Sequence, residues 1–138
     1  MKDYIQNLNL IDLISEKHKA LREEVNGRSS YPLNKTETHI LAMLDLHTVL
    51  SISEVSRLIH ISRQGGQKCI NGLLAEEYVK ITQVVGNARD KHITLTRKGS
   101  EACRSMLEIK VEMERQIIDR LGQEQVELLK KLLTEEWL

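Results

Sequence analysis

The stretch SISEVSRLIHISRQGGQKCINGLLAEEYV, residues 51–79, decides the fold. It opens with Ser51 and, three residues on, Glu54. That is the spacing of a capping box, in which each side chain accepts a hydrogen bond from the other residue's backbone N–H at a helix start. A short helix is therefore expected through about Ile59, with Val55, Leu58 and Ile59 turned inward. His60-Ile61 reads as a tight turn, and Ser62 as the cap of a second helix from Arg63 to about Glu77. Two short helices joined in this way are the outline of a helix-turn-helix.

At about 100° per residue, Arg63, Gln64, Gln67, Lys68 and Asn71 share one face of the second helix. Gly66, Cys69, Ile70, Leu73 and Leu74 gather on the other. One side therefore packs, and the other offers long hydrogen-bonding groups. Those groups suit a major groove: Arg forks onto O6 and N7 of guanine, and Gln or Asn onto N6 and N7 of adenine. Ser62 and the free N–H groups beside it suit a phosphate oxygen. Gly65-Gly66 is unusual, because each glycine costs about 1 kcal/mol against alanine inside a helix. The pair serves either close packing on the first helix or close approach of backbone to DNA.

Past Tyr78 the apolar period shortens to two. Val79 and Ile81 alternate with Lys80 and Thr82, and Ile93 and Leu95 with His92 and Thr94. Gly86-Asn87-Ala88-Arg89-Asp90-Lys91 between them is a polar turn, so a β-hairpin wing is expected, with Arg89 and Lys91 at its tip. A cationic tip suits the negative potential of an A·T-rich minor groove.

Upstream, apolar residues at mostly helical spacing predict a helix over residues 3–25, then a loop from Arg28 to Leu33 holding Pro32. Asn34 and Glu37 form a second capping box, with Ile40, Leu41, Met43 and Leu44 on the apolar side. Downstream, Thr96 caps a long helix with an apolar stripe from Met106 to Leu121, and a leucine-rich helix begins at about Gln123. These end regions hold more apolar surface than the short middle helices can cover, so burial against a second copy is expected.

The remaining composition narrows the function. One proline, no phenylalanine and 3% aromatics favour a mainly α chain with one small hairpin. The net charge is zero, yet residues 51–98 hold 8 Lys and Arg against 4 Asp and Glu, a basic excess where a DNA-facing surface needs it. No apolar run approaches the roughly 20 residues that cross a bilayer, and the start lacks a secretory core, so a cytoplasmic protein is expected. Cys69 and Cys103 form no disulfide or metal framework and read as small buried groups, with a redox pair as the alternative. Of the five histidines, only His39, beside Glu37, has a neighbour suited to a metal, with His18 or His47 as further ligands; ordinary interhelix histidines are expected instead. Neither a nucleophile elbow nor a phosphate-binding glycine loop is present, so no enzyme and no cofactor are expected.

The segments SISEVSRLIHISRQGGQKCINGLLAEEYV and VGNARDKHITLTRKG resemble the helix-turn-helix and wing of the MarR family of winged-helix transcriptional regulators. The wing carries the more specific likeness, in its Arg-Asp-Lys tip, Ile-x-Leu-Thr strand and Lys-Gly helix start. The resemblance implies a single domain in which residues 1–33 and 99–138 dimerise and 34–98 form the winged helix-turn-helix. It implies a homodimer on a palindromic duplex operator, acting as a repressor released by a small-molecule effector. Ser62, Arg63, Gln64, Gln67, Lys68, Asn71, Arg89 and Lys91 would then contact DNA. Tyr31, His39, Met43 and His47 are near enough in sequence to a pocket between the two regions to contribute to it. The peroxide-sensing cysteine that some members carry near the N-terminus has no counterpart here. The runner-up is a winged-helix module that binds another protein, which would more often present apolar anchors on the outer helix face.

Overall fold

Most helix starts among the described residues are set by polar side chains that turn back on the backbone. In the computed structural model, which describes residues 5–82 and 91–138, Asn9 Oδ1 accepts from Asp12 N at 2.8 Å and opens α1, Leu10–Arg28. Residues 5 and 6 are already helical, and the extended backbone at the Asn9 cap separates them from α1, so the helix predicted over residues 3–25 is interrupted there. Both predicted capping boxes form. Asn34 and Glu37 open α2, Lys35–His47, with reciprocal bonds of 2.8 and 2.9 Å. Ser51 and Glu54 open α3, Ile52–Leu58, with bonds of 3.0 and 3.1 Å. Between these helices lies β1, Val49–Ser51, which periodicity did not reveal.

Helix α3 ends in a Schellman turn. Ile61 N donates to Ser56 O and His60 N to Arg57 O, with His60 in the left-handed region at φ 56°. Ser62 Oγ then accepts from Gly65 N at 3.0 Å and opens α4, Arg63–Ala75. The end of α4 repeats the motif: Tyr78 N donates to Leu73 O and Glu77 N to Leu74 O, with Glu77 at φ 63°. That turn stops α4 two residues short of the predicted Glu77 and swings the chain into β2, Val79–Thr82. Strand β3, His92–Leu95, leads to α5, Arg97–Leu121, which Thr96 caps as expected. Gly122 breaks the chain at φ 101°, and α6, Gln123–Thr134, follows.

The sheet is antiparallel in the order β1-β3-β2. Ile93 stands opposite both Leu50 and Ile81, so the central strand buries Ile93 completely. Around it Ile40, Leu44, Val55, Ile70, Leu73 and Val79 close the main core. Leu58, expected inside, is 41% exposed; Ile52 and Ser56 are buried on that helix instead. The register of α3 is therefore set by its approach to α4. A second, smaller core joins α1 to α5 through Val25, Met106 and Met113. Helix α6 has one buried residue, Val126. None of the described helices is long and apolar enough to cross a membrane.

Candidate nucleic-acid interface

Helix α4 divides as its sequence predicts. Ile70 and Leu73 are fully buried and Gly66 is buried, whereas Ser62, Arg63, Gln64, Gln67, Lys68 and Asn71 are exposed. With Gly65, those six line one continuous open surface. Among the described residues no carboxylate pairs with Arg63 or Lys68, so both charges face solvent unneutralised. Gln67 Nε2 donates to Asn71 Oδ1 at 2.8 Å, which sets the two amides relative to each other one turn apart. The remaining amide groups and the guanidinium fork face outward together, as direct reading of base edges requires.

The adjacent glycines have separate roles. A Cβ on Gly66 would overlap Ser56 Oγ and lie 3.2 Å from Ser56 Cβ. Gly66 therefore permits the contact of α4 with α3, and Ser56 is the residue on the far side that sequence reasoning missed. Its hydroxyl is held in place by donation to Ile52 O at 3.1 Å. A Cβ on Gly65 would meet only the Ser62 hydroxyl, at 3.0 Å. Of the two readings of this pair, close packing holds for Gly66.

The wing base is tied to both neighbours. Ile52 N donates to Lys91 O at 3.1 Å, and Thr94 Oγ1 to Thr48 O at 2.8 Å. Lys91 is exposed where β3 begins. Arg89, the other tip residue, lies outside the described residues, as does the turn from 86 to 90. On the opposite side, Lys98 Nζ donates to Glu76 O at 2.8 Å and lies 4.4 Å from the Tyr78 ring centre. Gly99 lets α5 approach the Tyr78 carbonyl directly. The hairpin and α4 are thereby fixed to the start of the long helix.

The four residues expected near an effector pocket separate. Tyr31 meets Tyr78 edge-on at 6.2 Å, and Met43 packs against the main core. His47 is exposed in the last turn of α2. His39 lines a cavity walled by α1, α2 and α5. Cys103 is half-buried, its Sγ 3.6 Å from Leu41 O, and burial pushes its thiol up to about 11. Cys69 packs at the edge of the main core. Among the described residues no three His, Cys, Asp or Glu side chains converge as metal ligands.

No family model matches the chain. The HTH-type transcriptional regulator PchR of Bacillus subtilis is 26% identical over 81 residues, covering 59% of this chain and 46% of that protein. The chain thus matches less than half the length of this relative. MepR, a transcription regulator of the Staphylococcus aureus multidrug efflux pump MepA, superposes with a TM-score of 0.76 at 18% identity, over 92% of this chain and 95% of MepR. Streptococcus pneumoniae FabT, solved in complex with DNA, gives 0.73 at 25% identity over 88% and 87%. PchR and MepR are thus transcriptional regulators by description, and FabT is a protein solved on DNA. In its order of elements, with α4 divided into a packed and an exposed face, the chain has the winged-helix fold of these proteins.

Proposed function

We propose that this chain is a sequence-specific duplex-DNA-binding transcriptional regulator that acts as a homodimer on a palindromic operator. The observation that carries the reading is the outward face of α4, where Arg63, Gln64, Gln67, Lys68 and Asn71 are exposed and, among the described residues, no carboxylate pairs with Arg63 or Lys68. Ser62 offers a phosphate its helix start, and Arg89 and Lys91 would reach the flanking minor groove from the wing. The likeness to FabT, solved with DNA, supports the same reading. An adaptor that binds protein would present apolar anchors on this face, and these residues are polar or charged.

Dimerisation through residues 1–33 and 99–138 rests on what the monomer leaves uncovered. Ile11 and Ile14 of α1, Val111 of α5, and Leu128, Leu132 and Leu133 of α6 are all exposed. So much apolar surface on two terminal regions is stable in water once a symmetry mate covers it. Two copies related by a two-fold axis then present two reading helices, which is the geometry a palindrome requires. Repression follows from occupying an operator, and release follows when a small molecule alters the spacing of those helices. Gel-shift titration against random duplexes tests the core claim. Affinity should fall steeply with salt, with a log–log slope of about −0.9 for each phosphate neutralised; a protein that shifts no duplex at low salt is not this regulator.

A further inference from the structure

Gln67 and Asn71 meet on the exposed face of α4. They lie four residues apart, so one helical turn brings their side chains together. A primary amide carries an acceptor oxygen and a donor nitrogen on one carbon, and turning it over exchanges the two. An exposed glutamine by itself holds both orientations at nearly equal free energy. Here one orientation is selected: Gln67 Nε2 donates to Asn71 Oδ1 at 2.8 Å.

That bond uses one N–H of Gln67. Among the described residues, nothing donates to Gln67 Oε1 and nothing accepts from Asn71 Nδ2. Gln67 therefore offers DNA an acceptor, Oε1, beside a donor, its second N–H. Adenine presents the complement in the major groove, with a donor at N6 and an acceptor at N7. Guanine presents two acceptors, O6 and N7, and calls for the overturned amide with its N–H groups outward. Asn71 is steadied in turn by DNA. With Oδ1 engaged, its Nδ2 is left to donate, which suits a phosphate oxygen; the reverse orientation would set oxygen against oxygen.

We propose that Asn71 is a positioning residue that fixes the Gln67 amide for adenine, so that the pair specifies one A·T base pair in each half-site. This rests on the base-reading role of α4 proposed above. In a bare helix such a contact is worth a factor of about two. In the water-poor groove it rises to that of an ordinary protein hydrogen bond, a factor of about five.

Selection from a library of randomised duplexes tests this, with the wild type, Gln67→Ala, Asn71→Ala and Asn71→Asp. Gln67→Ala marks the base pair that Gln67 reads. There the wild type should prefer adenine over guanine by about tenfold. Asn71→Ala frees the amide to turn over, so the preference should fall about fivefold, with guanine gaining most. Asn71→Asp keeps an acceptor for Gln67 Nε2 and offers no donor, so adenine preference should survive within about twofold, while the added negative charge weakens all duplexes alike. Both Asn71 variants should melt with the wild type, because the position is exposed. A lowered melting temperature with an unmoved base profile would mean a structural role alone. The inference is also overturned if adenine preference survives Asn71→Ala, or if Asn71→Asp loses it equally. A wild type that selects a palindrome with another base at the marked pair, or a Gln67→Ala profile that marks no pair, sinks it too. None of those results touches DNA binding by the dimer, whereas a wild type that selects no sequence sinks the regulator and this inference with it.

Discussion

Replacing Gly66 by alanine tests how the reading helix is held. In an unconstrained helix interior the change would add about 1 kcal/mol of stability. Here the new methyl overlaps Ser56 Oγ, with Ser56 Cβ at 3.2 Å and Ile61 Cδ1 at 3.7 Å. The serine cannot rotate away freely, since its hydroxyl would forfeit the bond to Ile52 O, worth about 1 kcal/mol. Overpacking of a closed contact costs about 1–3 kcal/mol. The net expectation is a loss of about 1–2 kcal/mol, read as a lower urea midpoint at unchanged m. Two controls fix the cause. Gly72→Ala, on the same helix with only Glu37 Oε2 at 3.9 Å, should stabilise by up to about 1 kcal/mol. Ser56→Ala combined with Gly66→Ala should recover at least about 1 kcal/mol as a coupling energy. If Gly66→Ala matches Gly72→Ala in sign, or the pair is additive, the close contact between α3 and α4 is not what requires glycine.

Other outcomes follow from the same structure. Arg63→Ala and Lys68→Ala should each weaken operator binding, by about 1–3 kcal/mol where a base contact is lost, and leave the melting temperature and dimer mass unchanged; gel shift and light scattering check both. The Glu54 carboxyl is held below its ordinary value of 4.5, first by the Ser51 backbone N–H. That contribution is full above pH 4.5 and is lost as the pH falls through the lowered value, so the stability gap between wild type and Glu54→Gln should close in acid denaturation. The Cys103 thiol, raised from 9.0 to about 11, should alkylate with iodoacetamide at pH 8 about a hundredfold more slowly than in the urea-unfolded chain. Equal rates would place the sulfur in open solvent.

How far the sequence carried depends on the range of the forces involved. Caps at Asn34, Ser51, Ser62 and Thr96 act within three residues, and all four were legible. The two faces of α4 follow from helical period alone, and the exposure of Arg63, Gln64, Gln67, Lys68 and Asn71 was legible there. Asn9 was a cap of the same kind, overlooked because the apolar pattern continues across it. Strand β1 has three residues and no alternation of its own; it exists through pairing with β3, far along the chain. Leu58 and Ile59 look alike in sequence, and only the close approach of α3 to α4 decides which one is buried. The cavity that His39 shares with Arg22, Lys35 and Lys110 is the extreme case, since its lining residues come from three helices and meet only when the cores have packed.

The central claim is that α4 reads base edges in two symmetric copies. It is tested most directly by the base-preference profile of the wild type and of Gln67→Ala on a library of randomised duplexes. The wild type should select a palindrome, and the variant should lose preference at one base pair and its two-fold mate, leaving the other positions intact. A selected sequence without dyad symmetry, or a variant profile indistinguishable from wild type, would contradict it.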